Sequence, residues 1–186
     1  MNQSQRHEEV ARIADTSENQ NQYLTFQIGR EMFAVGILHI REIIEYGSLT
    51  TVPMMPDFVR GVINLRGSVV PVIDLSARFG RGESEIGRRS CVVILEVEAP
   101  SGSEESLQEI GVIVDAVSEV LEIPPEEIEP APSFGARIRA DFIAGMGKVQ
   151  GQFVILLDVQ QALNTREMAE LAAIGDATGH GHGLDS

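Results

Sequence analysis

The sequence of 186 residues has no tryptophan, a single cysteine and few aromatic residues, which make up 5% of the chain. One cysteine excludes an internal disulfide, and Cys91 lies in the apolar run CVVILEV, which predicts a buried thiol. With so few rings among 43% hydrophobic residues, the core must be aliphatic, and this favours β-structure. No apolar run approaches the roughly 20 residues that span a bilayer. The polar N-terminus shows no signal peptide, so we expect a cytoplasmic protein without membrane insertion.

Basic residues are also scarce, since 14 Lys and Arg stand against 28 Asp and Glu, a formal charge of −14. Such a chain repels phosphate backbones, which argues against nucleic-acid binding. The basic residues are unevenly spread, because residues 60–89 carry six of them against three acids and have a net charge of +3: Arg60, Arg66, Arg78, Arg81, Arg88 and Arg89. This basic island indicates an acidic protein partner, although a solvated surface explains it almost as well.

No arrangement of residues typical of catalysis is present. Asp74 and Asp158 each follow an apolar strand, where a carboxylate caps the next turn or helix, and we favour this structural role over an acid–base pair. His180 and His182 lie in a glycine-rich tail that offers no preorganised metal site. The chain has no nucleophile elbow and no phosphate-binding loop. We therefore expect no enzyme activity, no metal and no cofactor.

The distribution of turn residues predicts an all-β protein with a C-terminal helix. Residues 1–21 are polar and are predicted to be a disordered arm, and residues 175–186 a disordered tail. Between them, turn signals recur among short apolar runs. These predict ten strands, at residues 23–28, 32–37, 43–52, 58–65, 69–75, 90–97, 110–115, 118–123, 143–149 and 153–159. Helical spacing of apolar residues predicts one helix at about 159–173.

The chain contains an internal repeat. FAVGILHIREIIEY (33–46) aligns with residues 110–123 at an offset of 77, and FVRGVINLRGSVVPVIDL (58–75) aligns with residues 142–159 at an offset of 84. Each half supplies about five strands, which fits a small closed barrel of the SH3 or OB type. We predict two similar five-stranded β-barrels around a shared core in one domain, 22–174, with barrel one at about 22–89 and barrel two at about 90–159.

The segment RGVINLRGSVVPVIDL (60–75) predicts a hairpin with a charged tip. Gly67 supplies the backbone freedom of a tight turn, and Arg66 lies beside it between two apolar strands. A fixed charge at that place indicates a docking feature, and the alternative is that it only keeps the hairpin end soluble. In the second copy Gln150 replaces Arg66 and Ala144 replaces Arg60, so the repeated scaffold does not require these charges. This asymmetry favours docking for Arg66.

Two further segments are candidates for binding. In HIREIIEY, which follows the second strand, the spacing of the apolar residues Ile40 and Ile43 changes toward that of a helix. They and their copies Val117 and Val120 either face inward or line an apolar groove at the seam between the barrels, with Glu42 at its rim. Such a groove would accept an amphipathic helix or a helical hairpin. Phe134, in the Pro-rich segment EPAPSFGARIR, either plugs a barrel end or anchors an interface.

These motifs resemble those of the CheW family of chemotaxis coupling proteins over about residues 23–171. The resemblance rests on FAVGILHIREII, RGVINLRGSVVPVIDL, IGVIVDAVSEVL, IEPAPSF and ILLDVQQAL, of which the Asn-Leu-Arg-Gly turn and the strand after it are the most specific. The family fold is two five-stranded β-barrels. The resemblance implies a non-enzymatic adaptor that links the cytoplasmic tips of chemoreceptors to the regulatory domain of the histidine kinase CheA.

The resemblance also implies which residues bind each partner. Receptor binding, in the groove between the barrels, falls to Ile40, Glu42, Ile43, Gly61, Leu65, Arg66 and Val120. Kinase binding, through the barrel ends, falls to Ile37 and Phe134. The adaptor is expected to be cytoplasmic, to be recruited to membrane receptor arrays and to associate with itself in the array rings.

Two other functions remain open. The long acidic loop 98–109 and the two tails depart from the family pattern. They raise the alternative of a paralogous adaptor in a non-flagellar pathway, for pilus motility or diguanylate-cyclase control. A protein that binds a ligand in a barrel cavity is a third hypothesis, but it needs polar side chains converging on one site, and the sequence shows none.

Overall fold

The structure is a computed structural model and describes residues 20–98, 107–131 and 139–164. Several predicted features fall outside these residues: nearly all of the N-terminal arm, most of the acidic loop, Phe134, the C-terminal part of the predicted helix and the tail. The described residues form two sheets and their connections.

Within the described residues the chain is mostly β-structure, as predicted, because β-branched residues dominate its apolar runs. The strands are β1 (Gln22–Ile28), β2 (Glu31–Gly36), β3 (Ile40–Glu45), β4 (Val59–Leu65), β5 (Ser68–Asp74), β6 (Cys91–Glu98), β7 (Leu107–Val114), β8 (Ala116–Glu122), β9 (Ile128–Glu129), β10 (Ile143–Val149) and β11 (Gln152–Leu157). Single 3-10 turns occupy Ile37–His39, Pro125–Glu127 and Ala140–Phe142.

Two one-turn helices, α1 (Leu75–Arg78) and α2 (Val159–Ala162), follow β5 and β11. Asp74 caps the first, its Oδ1 accepting from the Ala77 backbone N–H at 3.4 Å. Asp158 caps the second in the same way, its Oδ1 accepting a hydrogen bond from the Gln161 backbone N–H at 3.1 Å. The predicted capping role of both carboxylates is confirmed. The helix predicted at about 159–173 is shorter than expected where it is described, because α2 ends at Ala162 and Leu163 leaves helical geometry, and residues 165–173 lie outside the described residues.

The strands form two sheets that curve into barrel-like units. The six-stranded sheet has the order β8-β1-β2-β11-β10-β9, and the five-stranded sheet has the order β3-β6-β7-β5-β4. Most neighbouring strands are antiparallel, whereas β11 pairs with β2 and β5 pairs with β7 in parallel. The two orders are equivalent under the repeat, which agrees with two similar small barrels.

The sheets do not follow the predicted division into residues 22–89 and 90–159. The hairpin β1–β2 of the first copy lies in the six-stranded sheet, between β8 and β11, and the hairpin β6–β7 of the second copy lies between β3 and β5. The chain crosses between the sheets at two equivalent places, from β2 to β3 through Ile37–His39 and from β7 to β8 through Asp115. Neither connection forms a hairpin, so the two strands that it joins pair in different sheets.

The HIREIIEY segment also differs from the prediction. Instead of moving toward helical spacing, it forms β3, which pairs with β6 from Ile40 opposite Leu95 to Glu45 opposite Cys91. A register shift between Ile40 and Glu42 accounts for the misleading spacing, because a β-bulge breaks the two-residue alternation of a strand. The strand therefore begins three residues before the predicted segment 43–52.

The apolar residues form three clusters. The largest, here called the seam core, takes side chains from both sheets, among them Phe26, Phe33 and Val35 from the six-stranded sheet and Val93, Leu95 and Val112 from the five-stranded sheet. A smaller cluster fills the other face of the five-stranded sheet, with Val72, Ile94 and Ile113. A third fills the six-stranded sheet, with Ala34, Val154 and Leu156. The shared core predicted from sequence is thus the dominant one.

A short backbone contact closes the five-stranded unit. Thr50, after β3, exchanges two backbone hydrogen bonds with Val62 on β4, at 2.9 and 2.8 Å. Gly61 makes this approach possible, because a Cβ at that position would lie 2.5 Å from the Thr50 carbonyl oxygen. Gly145 holds the equivalent place in the other unit, where a Cβ would lie 2.5 Å from Ile128 Cγ2. The two glycines of the repeat are therefore closure residues.

We predict that Gly61→Ala lowers the free energy of unfolding by about 2 kcal/mol, since the methyl group would separate Thr50 from β4. Urea unfolding followed by circular dichroism measures the change. Gly47→Ala is the matched control, because nothing lies within 4 Å of a Cβ at that exposed site. Equal stability of the two variants would contradict the closure role of Gly61.

Candidate functional site

The Arg66–Gly67 turn joins β4 to β5 as a two-residue hairpin, with φ of 52° at Arg66 and 86° at Gly67. Positive φ at both central residues defines the type I′ turn, whose twist matches that of the strands. The side-chain carbonyl of Asn64 accepts from the Gly67 N–H at 3.0 Å and stiffens the turn. The predicted tight turn is confirmed, and Arg66 projects from a rigid base.

The second copy has the same turn without the charge. Gln150 and Gly151 have φ of 51° and 80° and connect β10 to β11. Two positive φ values in each copy show that the turn belongs to the duplicated scaffold. The side chain at the first turn position is free to differ, and only the first copy places a guanidinium there.

Arg66 forms an ion pair with Glu42. The Arg66 side chain is 66% exposed, whereas that of Glu42 is 12% exposed, so the carboxylate is largely covered and the guanidinium faces solvent. Glu42 lies on β3 and Arg66 follows β4, and these are the two edge strands of the five-stranded sheet. The pair therefore bridges the side where the sheet closes on itself and holds the guanidinium in one orientation.

The other predicted receptor-binding residues lie at different depths. Ile40 is buried in the seam core, against which Ile43 and Val120 pack half-buried. Leu65 is half-buried and packs on the smaller cluster of the five-stranded sheet, which contains Val72 and Ile94. Gly61 is buried where Thr50 pairs with β4. Ile40 and Gly61 thus offer support rather than contact surface. The structure brings Ile40, Ile43 and Val120 to one cluster, and Glu42 and Arg66 to one ion pair.

The predicted kinase-binding residues need a correction. Ile37 is 1% exposed and belongs to the seam core, so its side chain has no surface to offer a partner in this conformation. A 3-10 turn at Ile37–His39 turns it inward and leaves its neighbour Leu38 exposed. Phe134 lies outside the described residues, and its placement stays a prediction.

Arg60 differs from Arg66, although both were singled out by their absence from the second copy. Its guanidinium points inward, with Nε 3.3 Å from Oδ2 of the fully buried Asp74. It also donates to the Ser84 carbonyl at 3.0 Å and pairs with Glu83 at 3.4 Å. Ser84 in turn donates through Oγ to Asp74 at 2.6 Å. Arg60 therefore fastens the connection after α1 to the sheet and is no part of a docking surface.

Two exposed apolar residues were missed by the sequence reasoning. Val69 on β5 and Phe153 on β11 occupy equivalent places beside the two turns, and Phe153 is 58% exposed. The available signal was an aromatic residue just after the turn at Gly151. Each barrel-like unit thus presents one large apolar side chain near its hairpin tip.

Arg139 and Asp141 precede β10 and form an exposed ion pair at 2.6 Å. The hydrogen bond from Arg139 lowers the pKa of the Asp141 carboxyl below its ordinary value. Across the residues that the structure describes, no group of three His, Cys, Asp or Glu side chains could hold a metal ion. None of the helices described is long and apolar enough to cross a membrane.

Asp74 and Asp158 form a matched pair that measures the contribution of the Arg60 network. Asp158→Ala removes a cap and is expected to cost about 1 kcal/mol of stability. Asp74→Ala removes a cap and also leaves Arg60 without its buried partner, so we expect a loss of about 3–5 kcal/mol. Urea unfolding of both variants gives the comparison. Equal losses would show that the Arg60 contacts contribute nothing to folding.

Comparison with known proteins agrees with this architecture. The model of the CheW-like domain matches residues 22–167. The chemotaxis protein CheW of Klebsiella aerogenes is 32% identical over 160 residues, which cover 86% of this chain and 91% of the relative. Protein FrzA of Myxococcus xanthus is 28% identical and is covered to 96%. The crystal structure of the scaffolding protein TtCheW from Thermoanaerobacter tengcongensis superposes with a TM-score of 0.67 at 33% identity, covering 75% of this chain and 85% of that one. The chain therefore belongs to the CheW family, whose members are chemotaxis scaffold proteins and not enzymes.

Proposed function

We propose that this chain couples the cytoplasmic tips of chemoreceptors to the regulatory domain of the histidine kinase CheA. The observation that carries the proposal is the exposed Arg66 guanidinium, which a rigid turn and the Glu42 carboxylate hold in place. A scaffold needs surfaces that keep their shape, because ordering a flexible group on binding costs free energy. The protein binds as a preformed body and fixes its partners in register.

The receptor-binding surface combines an apolar strip with a charge. Ile43 and Val120 hold equivalent positions in the repeat, and both are half-buried against the seam core. A helical hairpin can lay its apolar face on such a strip, as amphipathic helices do in other grooves. Arg66 then contacts carboxylate or carbonyl groups of the receptor hairpin. The rest of the chain carries a net charge of −17, since the whole chain has −14 and residues 60–89 have +3, and this acidity discourages acidic partners from binding elsewhere.

The Glu42–Arg66 pair lets the site change partners at little cost. Because the Arg66 guanidinium faces solvent, the pair contributes only about 1 kcal/mol to stability. A receptor helix that covers the guanidinium strengthens each charge-assisted hydrogen bond to it, to about 1.5–3 kcal/mol. Glu42 preorganises Arg66 in the free adaptor and shares it with the receptor in the complex.

The kinase surface is proposed at Phe134, in the second copy of the repeat. Phe134 follows Pro130 and Pro132, which restrict the backbone before it and lower the entropy lost on docking. The two partners then use different residues of the adaptor, which can hold both at once. The adaptor is thereby recruited from the cytoplasm to receptor arrays at the membrane, and contacts between copies extend the array rings.

We predict that Arg66→Glu reduces co-sedimentation with receptor-containing membranes at least about tenfold, because it replaces attraction by repulsion at the docking charge. The melting temperature should change by only about 2–3 °C, because the substituted side chain is on the solvent-facing side of the ion pair. Quantitative immunoblotting of the pelleted fraction measures the first effect, and differential scanning fluorimetry the second.

Gln150→Glu is the matched control for that variant. It places the same carboxylate at the equivalent turn of the other barrel-like unit, where the backbone has the same positive φ. The net charge becomes more negative by one in this variant and by two in Arg66→Glu, since Gln150 is uncharged and Arg66 is positive. Its co-sedimentation should equal that of the parent. Retained receptor binding by Arg66→Glu, or equal losses in the two variants, would refute the proposed receptor surface.

A separate prediction concerns the kinase. Phe134→Ala should weaken binding of the isolated CheA regulatory domain at least about tenfold, as expected for an aromatic interface anchor, while receptor co-sedimentation stays unchanged. Isothermal titration calorimetry gives the affinity. Phe153→Ala is the control, since it removes another exposed ring from the same chain. If Phe153→Ala alone weakens kinase binding, the kinase surface lies at the β10–β11 hairpin and not at Phe134.

A paralogous adaptor of a non-flagellar pathway is the second candidate function. The similarity to protein FrzA shows that the domain is not confined to proteins named for chemotaxis. The same surfaces would then couple receptors to the kinase of a system for pilus motility or diguanylate-cyclase control. Affinity capture from the native cell distinguishes the two, because the flagellar adaptor should recover the kinase that controls swimming and the paralogue a different one.

A further inference from the structure

The two copies of the repeat meet at a pair of equivalent aromatic residues. Phe58 and Phe142 are 84 residues apart, and each precedes the strand that leads to a hairpin tip. The Phe58 carbonyl accepts a hydrogen bond from the Asp74 N–H at 2.7 Å, and the Phe142 carbonyl accepts one from Asp158 at 2.8 Å. The two rings thus have matching backbone surroundings, one in each copy.

One arginine contacts both of these rings. The guanidinium carbon of Arg78 lies 4.9 Å from the centre of the Phe58 ring and 4.6 Å from that of the Phe142 ring. Its Nε donates to the carbonyl of Ala162 at 2.9 Å. Arg78 is the last residue of α1 and Ala162 is the last residue of α2, again 84 positions apart. Arg78 therefore contacts its own counterpart, at the place where the repeat axis crosses the molecule.

The sequence difference at this pair follows from the geometry. Two arginines at equivalent positions beside the axis would bring like charges together. A small residue at position 162 leaves room for the guanidinium and keeps the carbonyl accessible to it. The repeat can therefore hold one arginine here, and the chain carries it in the first copy.

This contact is directional, whereas the surrounding core is not. Aliphatic side chains fill most of the seam core, and apolar contacts do not fix a rotation angle, because the hydrophobic effect depends on buried area. A hydrogen bond and a planar guanidinium between two rings require a specific geometry. The ring of Phe79, beside Arg78, stacks on Phe33 at 5.3 Å and extends the same contact into the six-stranded sheet.

We propose that Arg78 fixes the orientation of the two sheets relative to each other and thereby sets the distance between the Arg66 tip and the surfaces of the second unit. Arg78 is a positioning residue and contacts no partner itself. The proposed role of Arg78 in orienting the sheets depends only on contacts within this chain. Its consequence for signalling, that receptor and kinase are held in register, rests on the proposed function.

The orientation can be measured in the isolated full-length protein. In a Cys91→Ser background, Ser68→Cys and Gln152→Cys place spin labels at exposed sites beside the two hairpin turns, one on each sheet. Double electron–electron resonance then gives the distribution of distances between the sheets. Arg78→Met keeps a long unbranched side chain but removes the hydrogen-bond donors and the positive charge. Arg78→Lys keeps the positive charge but loses the planar guanidinium.

We expect a single narrow distribution in the parent, a width about twice as large in Arg78→Met and an intermediate width in Arg78→Lys. Arg41→Met is the control, because Arg41 pairs with Glu96 and Glu109 within the five-stranded sheet. Unchanged widths in both Arg78 variants, or equal broadening in the control, would overturn the assignment. If Arg78→Met fails to fold, the width for Arg78→Lys decides the question alone.

A second readout separates positioning from docking. Arg78→Met should bind receptor membranes and the kinase regulatory domain singly within about twofold of the parent, but should form several-fold less of the ternary complex. Loss of either single affinity would show that Arg78 belongs to a docking surface. If the parent itself binds neither partner, the proposed function fails, while the distance distributions still test the orientation.

Discussion

The seam core is the constraint on which the rest of this structure depends. Each barrel-like unit has its own small apolar cluster, but the largest side chains, including Phe26, Phe33 and Phe142, are buried where the two sheets meet. A small unit buries too little surface to offset its loss of conformational entropy. The two units therefore stabilise each other, and any surface that spans them is as rigid as the seam. An adaptor that must hold two partners at fixed spacing needs this property.

The differences between the copies show where function and assembly were added to a common scaffold. Among the positions that carry arginine in the first copy and an uncharged residue in the second, three have clearly different environments. Arg60 reaches a buried carboxylate, Arg66 faces solvent at a turn, and Arg78 lies between two rings at the repeat axis. Their replacements, Ala144, Gln150 and Ala162, show that strands, turns and caps form without these charges. Of these three, only Arg66 has its side chain largely exposed to solvent, at 66%.

Much of the fold was predictable from the sequence, because it depends on local signals. Strand alternation, the glycine turns at Gly67 and Gly151 and the capping aspartates all act within a few residues. The exchange of hairpins was not predictable from the repeat, since equivalent segments pair equally well within a copy or between copies. The candidate site was identified in part. The difference between Arg66 and Gln150 is visible in the sequence. The pairing of Arg66 with Glu42, and the inward orientation of Arg60 and Ile37, depend on which strands become neighbours, and the sequence alone does not show that.

The exchanged hairpins also determine how this chain tolerates a break. Strands β6 and β7 lie side by side within the five-stranded sheet, and residues 99–106 connect them. A cut in that connection gives one piece with β1–β6 and another with β7–β11. Each sheet then contains strands from both pieces, so backbone ladders and the seam core hold the pieces together without a covalent link. Topology, rather than chain continuity, keeps the two units joined, so the length of that connection does not set the distance between them.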